Sequence, residues 1–155
     1  MILVVDDRPD GAEALCKMLA RHGYSCRWTD NGVEALAIIR AHPPGSPLLV
    51  VLDEVMPDLN GLAVLRQLRA DPATANVPVI MRTAGLNITK RVPAMSLGVL
   101  QWQIKGDDPV REIVDIVCHY QRLGGVRDDE PCHDASRSAS HFADDVTHVD
   151  RPTAN

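Results

Sequence analysis

Apolar residues fall along this chain in two alternating rhythms. Short, β-rich runs occur at Ile2-Leu3-Val4-Val5, Leu48-Leu49-Val50-Val51-Leu52, Val77–Met81 and Val99–Ile104. The first and third strands are runs with no polar break, the pattern of strands covered on both faces. Tyr24, Cys26 and Trp28 alternate with Ser25, Arg27 and Thr29, which predicts a further strand, the second in chain order. Between these runs the apolar positions return every three or four residues, the period of a helix with one buried face. Gly11–Arg21 carries Ala12, Leu15, Met18 and Leu19 on one side, and Gly23 stops it. Asp30-Asn31-Gly32 opens a second helix that reaches about Ala41. Leu62–Ala70 is a third, ended by Asp71-Pro72. Leu86–Leu97 is a fourth, with Pro93 inside it, where proline should break or shorten the helix. Asp107-Asp108-Pro109 caps a fifth that turns Val110, Ile113, Val114, Val117 and Cys118 inward and ends at Gly124-Gly125.

Strand and helix alternate five times, which predicts an α/β fold: an open, five-stranded, mostly parallel sheet with helices on both faces. The boundary of this domain falls at residues 1–124. Residues 125–155 differ in kind. They carry seven acids (Asp128, Asp129, Glu130, Asp134, Asp144, Asp145, Asp150) against three arginines, with sparse apolar positions and no sustained period. Such a segment is expected to be a disordered acidic tail, with at most one short helix near Phe142.

Composition narrows the function classes. The chain has 155 residues, 45% apolar and 24% charged, which suits one globular domain with a real core. Aromatics are only 3%, so that core rests on aliphatic side chains. A net charge of −5 argues against a nucleic-acid or anionic-membrane partner. No apolar run is long enough for a bilayer, and the chain enters a strand at once with no leader, so a cytoplasmic location is expected. Cys16, Cys26, Cys118 and Cys132 make no Cys-x-x-Cys pair. The first three sit in apolar segments and read as small core residues rather than a disulfide framework. Cys132-His133 and the irregularly spaced His133, His141 and His148 read as solvated tail rather than a metal cluster.

The candidate chemistry lies at the strand ends. Asp6 and Asp7 close the first strand and Asp53 closes the third. In a sheet ordered 2-1-3-4-5 these two ends flank the point where strand order reverses, where ligands bind in open α/β sheets. Three converging carboxylates repel one another and call for a hard divalent cation; Mg²⁺ suits carboxylate and water ligation. One aspartate at a strand end is often only a loop cap, but three at adjacent ends are not well explained that way. Thr83 follows Val79-Ile80-Met81-Arg82, and Lys105 follows Trp102-Gln103-Ile104. Taken singly they are a strand cap and a surface lysine; together they bring a hydroxyl and an ammonium to the same sheet edge.

These stretches resemble the receiver domains of bacterial response regulators, the phosphoacceptor modules of two-component signalling with a flavodoxin-like fold. The matching segments are Ile2-Leu3-Val4-Val5-Asp6-Asp7-Arg8-Pro9, Asp53-Glu54-Val55-Met56-Pro57 with Gly61, Val79-Ile80-Met81-Arg82-Thr83-Ala84, and Lys105. Thirty residues separate Asp53 from Thr83, and 22 separate Thr83 from Lys105, as in the family. Each segment alone is common; all in order at this spacing are specific. The resemblance implies that Asp53 accepts a phosphoryl group from a sensor histidine kinase or histidine phosphotransfer protein. It implies Mg²⁺ on Asp7, Asp53 and the backbone carbonyl of Val55, with Asp6 acting through water. It gives Lys105 and Thr83 the phosphoryl oxygens, and Trp102 the place of a switch aromatic that turns inward. The implied output face is the fourth helix, fifth strand and fifth helix, open to an unidentified downstream protein or to a second copy in a homodimer.

The chain departs from the family pattern at three positions. Gly106 stands where proline usually follows the lysine, which permits more backbone states. Trp102 is larger than the usual Tyr or Phe, and Pro93 interrupts the output helix. A degenerate receiver, a scaffold that works without phosphorylation, is the alternative these positions keep open. A phosphatase using a strand-end aspartate would need a second acid two residues on, where Val55 stands. A flavin module would need a hydroxyl- and glycine-rich phosphate loop, where Asp6-Asp7-Arg8-Pro9-Asp10 stands. The tail is too short and acidic for a helix-turn-helix, so no DNA contact is expected.

Overall fold

The computed structural model describes residues 1–122 apart from 47, 58, 86, 87, 107 and 108, together with 146–148. Eleven elements follow one another: β1 (Ile2–Val5), α1 (Pro9–Arg21), β2 (Cys26–Thr29), α2 (Gly32–Ala41), β3 (Leu49–Asp53), α3 (Gly61–Ala70), β4 (Val79–Thr83), α4 (Ile88–Ser96), β5 (Gln101–Ile104), α5 (Pro109–Arg122) and β6 (Val146–His148). The sheet runs β5-β4-β3-β1-β2-β6, and every neighbouring pair is parallel. The expected 2-1-3-4-5 order is therefore present, with a sixth strand beyond β2.

That sixth strand comes from the segment expected to be tail. Val146, Thr147 and His148 pair with Cys26, Arg27 and Trp28. Beyond β2 the sheet has an open row of backbone donors and acceptors, which this strand pairs with. The local apolar density that sequence reading weighs is too low to announce three such residues. The short helix expected near Phe142 lies outside the described residues, as do the Asp107-Asp108 cap, the Gly124-Gly125 stop and Cys132.

Strand alternation divides the core into two layers. Leu3, Val5, Val50, Leu52, Val79 and Met81 face α2, α3 and α4, meeting Leu36, Ile39, Val64, Leu65, Leu68 and Ala94. Ile2, Val4, Leu49, Val51 and Ile80 face α1 and α5, meeting Leu15, Leu19, Ile113 and Val117. Burying each such Leu, Ile or Val stabilises by about 1.5–3 kcal/mol, so this aliphatic bilayer of contacts makes good the scarcity of aromatics.

Cys16 and Cys26 lie in the α1 layer, fully buried as expected, yet they are bonded to each other. They are therefore a disulfide pair and not the unpaired core residues expected from the sequence. Helix α1 packs directly on β2, and their Cα atoms stand 5.3 Å apart, within the ordinary span of a disulfide. Spacing along the chain gives no sign of this approach, because a turn and a change of element separate the two.

Helix starts are set by local chemistry. Pro9 occupies the first turn of α1, where its missing N–H is not needed. Asn31 and Asn60 cap α2 and α3, their side-chain oxygens accepting from Glu34 N at 2.7 Å and Ala63 N at 2.9 Å. Pro93 lies inside α4, which spans nine residues and is the shortest of the described helices. At the far end of α4, Arg69 of α3 donates to the carbonyls of Leu97 (2.7 Å), Val77 (3.0 Å) and Gly98 (3.3 Å). This clamp ties α3 to the chain on either side of β4 and fixes the far end of α4 while its near end approaches the strand termini.

Candidate functional site

The carboxyl ends of β1, β3, β4 and β5 meet at one edge of the sheet, and charged residues gather there. Asp6 directly follows β1, and Asp53 is the last residue of β3. Both are buried, at 4% and 5% exposure, and Asp7 is more open. One carboxylate oxygen from each of the three lies within 4.8 Å of the others. The sequence-level grouping of these acids is therefore a spatial one.

Backbone hydrogen bonds hold the acids in place. Asp6 N donates to Thr29 O at 3.2 Å, and Asp6 Oδ1 accepts from Arg8 N at 3.1 Å. Asp53 Oδ1 accepts from Val55 N at 3.4 Å. Glu54 N donates to Arg82 O at 2.8 Å, and Gly61 N donates to Glu54 O at 3.1 Å, so the loop after β3 is pinned on two sides. Lys105 lies across the cluster. Its Nζ donates to Asp53 Oδ2 at 2.7 Å and Asp6 Oδ2 at 2.8 Å, while its backbone N donates to Thr83 O at 2.7 Å. That last bond holds the loop carrying Lys105 against β4 despite Gly106 beside it.

Burial pushes the Asp53 carboxyl above its ordinary value; the Lys105 hydrogen bond pulls it back, and neighbouring Asp6 adds to the rise. A carboxylate that is costly to ionise in this place gains from any added positive charge. The donor set fits a hard divalent cation: three carboxylates of converging reach, with no sulfur or imidazole among them.

Thr83 and Trp102 take different positions around the cluster. Thr83 ends β4 and is buried. Its hydroxyl donates to Glu54 Oε2 at 2.5 Å and lies 3.1 Å from Gly85 O, and it accepts from Gly85 N at 3.3 Å. Trp102 on β5 is buried in the layer shared with α4, its indole N–H without a hydrogen-bond partner among the described residues. The backbone of Val55 is at the cluster, with the side chain exposed.

Three residues without a sequence-based role belong to the same region. Glu54 is almost fully buried, and its second oxygen, Oε1, pairs with Lys90 Nζ of α4 at 2.7 Å. Arg82 is buried opposite Asp53 in the β3–β4 register, and burial lowers its pKa against the opposing fields of Asp6, Asp53 and Glu112. The sequence signal was available for two of them. Glu54 and Arg82 are charged residues at the ends of otherwise apolar runs, where a charge needs a partner. Nothing in the sequence marks Lys90, a lysine on a helix.

Fold and site together define a class: a doubly wound α/β protein with an acidic, lysine-bridged cluster at the β1/β3 switch point. The chain matches the response regulator receiver domain family over residues 2–113, and it belongs to that family. It is 36% identical over 107 residues to the protein PilH of Pseudomonas aeruginosa, a match covering 69% of this chain and 86% of that one. It is 30% identical over 152 residues to the DNA-binding response regulator MtrA of Mycolicibacterium smegmatis, covering 92% of this chain but only 64% of that longer protein. Among solved structures, a response regulator receiver protein from Pseudomonas putida superposes with a TM-score of 0.68 at 27% identity, over 75% of this chain and 93% of that one. Among the described residues no helix is long and apolar enough to cross a membrane.

Proposed function

We propose that this chain is a phosphoacceptor receiver in which Asp53 takes a phosphoryl group from a phosphohistidine on a sensor kinase or histidine phosphotransfer protein. The observation that carries the reading is the junction at Asp53: a buried carboxylate held by Lys105 at 2.7 Å, with Asp6 and Asp7 close enough to share a cation. Asp7, Asp53 and the Val55 carbonyl would hold Mg²⁺, with Asp6 acting through water; bound there, the ion would neutralise the acids and the incoming phosphoryl charge.

In the transfer, an Asp53 carboxylate oxygen attacks phosphorus, the P–N bond to the donor imidazole breaks, and its electron pair stays on that nitrogen. A carboxylate is a poor nucleophile towards an anion, so charge neutralisation and in-line positioning carry the catalysis. Lys105 then exchanges Asp53 for the phosphoryl oxygens, an ammonium following charge that has moved outward by one group. Thr83 donates its hydroxyl to the same group. Trp102 stands at the switch position, already packed against the α4 layer, so its response follows movement of α4 rather than a swing from solvent. The output is a change in partner binding on the α4–β5–α5 face, where Val92, Met95 and Ile104 are exposed, either to a downstream protein or to a second copy. The chain acts as a signalling protein in the cytoplasm, and its chemistry is limited to its own phosphorylation and dephosphorylation.

The test is direct. Incubation with Mg²⁺ and a small phosphodonor is expected to add one phosphoryl mass, lost in Asp53→Asn. A wild-type protein that gains no phosphoryl group would favour a scaffold that binds partners without phosphorylation. An adduct that survives Asp53→Asn would move the acceptor elsewhere.

A further inference from the structure

Glu54 is a charged side chain, 3% exposed, that the phosphoryl-transfer scheme leaves without a task. It stands one residue beyond the phosphoacceptor and turns to the opposite side of the sheet, as neighbouring strand residues do. There its two oxygens are divided. Oε2 accepts from the Thr83 hydroxyl at 2.5 Å, and Oε1 pairs with Lys90 Nζ at 2.7 Å. One carboxylate thus joins the end of β4 to the first half of α4.

A threonine hydroxyl has a single hydrogen to donate. In this structure Glu54 is its close, charged acceptor, and the carbonyl of Gly85 at 3.1 Å is the longer, neutral one. A hydrogen bond to a charged acceptor is the stronger kind. A phosphoryl group on Asp53 asks for that same hydrogen. The two acceptors cannot both have it.

We propose that Glu54 is a positioning residue that latches Thr83 in the unphosphorylated state and hands its release on to α4 through Lys90. The inference rests on the reading of Asp53 as phosphoacceptor. When Thr83 turns to the phosphoryl oxygens, Glu54 loses one of its two partners. A buried carboxylate left with a single partner is costly, and its remaining partner is the half-exposed Lys90. The pair therefore moves outward together, and α4 loses its tether to β4. No proton is transferred at any point; one hydrogen bond changes acceptor. The latch also sets a cost on activation, because each phosphorylation displaces a charge-assisted hydrogen bond.

The experiment titrates the full chain, in saturating Mg²⁺, with beryllium fluoride as a phosphoryl analogue, reading bound fluoride by ¹⁹F NMR. Glu54→Ala is expected to bind the analogue about 10-fold more tightly than wild type, the low end of what a hydrogen bond to a charged group is worth. Glu54→Gln, which keeps the shape and a neutral acceptor, is expected to show a smaller gain. In Thr83→Ala the Glu54→Ala gain is expected to vanish, since the two groups act as one unit. Hydrogen exchange across residues 90–94 is expected to speed up on analogue binding in wild type and to be fast from the start in Glu54→Ala. A merely structural Glu54 would give weaker binding on removal, not tighter.

Equal or weaker binding in Glu54→Ala, or a gain that persists without Thr83, overturns the proposal. If Glu54→Ala does not fold, Glu54→Gln decides, and wild-type affinity in that variant overturns it. The two levels separate cleanly. Analogue binding that Asp53→Asn abolishes, with no gain from Glu54 substitution, ends the latch alone. No analogue binding by wild type ends the phosphoacceptor reading, and the latch with it.

Discussion

Gly61→Ala and Gly11→Ala make the same chemical change in two helices and are expected to act with opposite sign. Gly61 opens α3 immediately after its Asn60 cap, and Gly11 lies in the first turn of α1. Neither needs a left-handed backbone, so propensity alone favours alanine at both, by up to about 1 kcal/mol. A Cβ on Gly11 meets nothing within 4 Å. A Cβ on Gly61 would stand 2.1 Å from the carbonyl oxygen of Asp53 and 3.1 Å from Met81 Cε. The first of those atoms is backbone and cannot turn aside; it belongs to the residue that carries the site. Forced overpacking of this kind costs about 3 kcal/mol, against the gain of about 1 from propensity. The net loss for Gly61→Ala is then roughly 2 kcal/mol, or a fall of about 8 °C in Tm, while Gly11→Ala rises by up to about 4 °C. Urea denaturation and thermal melts followed by circular dichroism measure both. The same substitution at 61 also pushes the end of β3, so Mg²⁺ affinity falls in the fraction that folds. Gly61→Ala at wild-type stability, with unchanged Mg²⁺ binding, would refute the reasoning, because the close approach of α3 to Asp53 would then be absent.

Asp53→Asn bears on the cost of the acid itself. Burial raises the Asp53 pKa in the folded state above its unfolded value, so the folded protein holds that proton where the unfolded chain releases it. The stability owed to this group is full below the ordinary carboxylate range and is lost as pH rises through the folded value; ionised Asp53 opposes folding at pH 7. Without metal, Asp53→Asn is expected to be more stable than wild type at pH 7, with the difference vanishing under acid; a less stable Asn variant at pH 7 sinks this. Saturating Mg²⁺ at about 100 times its Kd is expected to stabilise wild type by about 2.7 kcal/mol and the Asn variant far less, and equal shifts would argue against Asp53 as a ligand. Reducing the Cys16–Cys26 bond, or replacing both cysteines with alanine, is expected to cost about 3 kcal/mol, and melts that coincide with and without reductant would contradict the crosslink. In a Trp28→Phe background, Trp102 emission is expected to be blue-shifted before any ligand is added and to change intensity on analogue binding; a silent indole would remove it from the switch.

Much of this was readable because the sequence states its strands twice, once as apolar runs and again as the polar residues that end them. Asp6, Asp53, Thr83 and Lys105 each terminate or follow a run, and a parallel sheet brings all such ends to one edge. Cys16 and Cys26 were harder, since their pairing depends on how α1 settles onto β2, a tertiary event with no period of its own. Val146–His148 is three residues long, below the length at which alternation carries information. Pro93 was legible only in part: it accompanies a short α4, as expected, yet the helix continues past it for three residues, since a neighbouring packed layer holds Ala94 in place.

The part least visible in the sequence is also the part on which the proposed switch rests. Asp53 and Glu54 are consecutive acids, and a reader counting charges would assign them to one cluster. Strand geometry separates them. Asp53 meets Asp6 and Lys105 on the side of the sheet shared with α1 and α5, where Val51 packs. Glu54 meets Thr83 and Lys90 on the side shared with α4, where Leu52 and Ala94 pack. A charge added to one side therefore has to be felt on the other without crossing the aliphatic core, and two short routes exist. One is the backbone, through Glu54 N to Arg82 O and Lys105 N to Thr83 O. The other is the Thr83 hydroxyl, whose one hydrogen goes to Glu54 in this structure and, in the proposed scheme, to a phosphoryl group on Asp53. Each of these backbone bonds joins a fixed donor to a fixed acceptor, so they hold the geometry of the strand ends. Under the proposed scheme the hydroxyl has two alternative charged acceptors, Glu54 and the phosphoryl group, and a two-state element of this kind is what phosphorylation would bias.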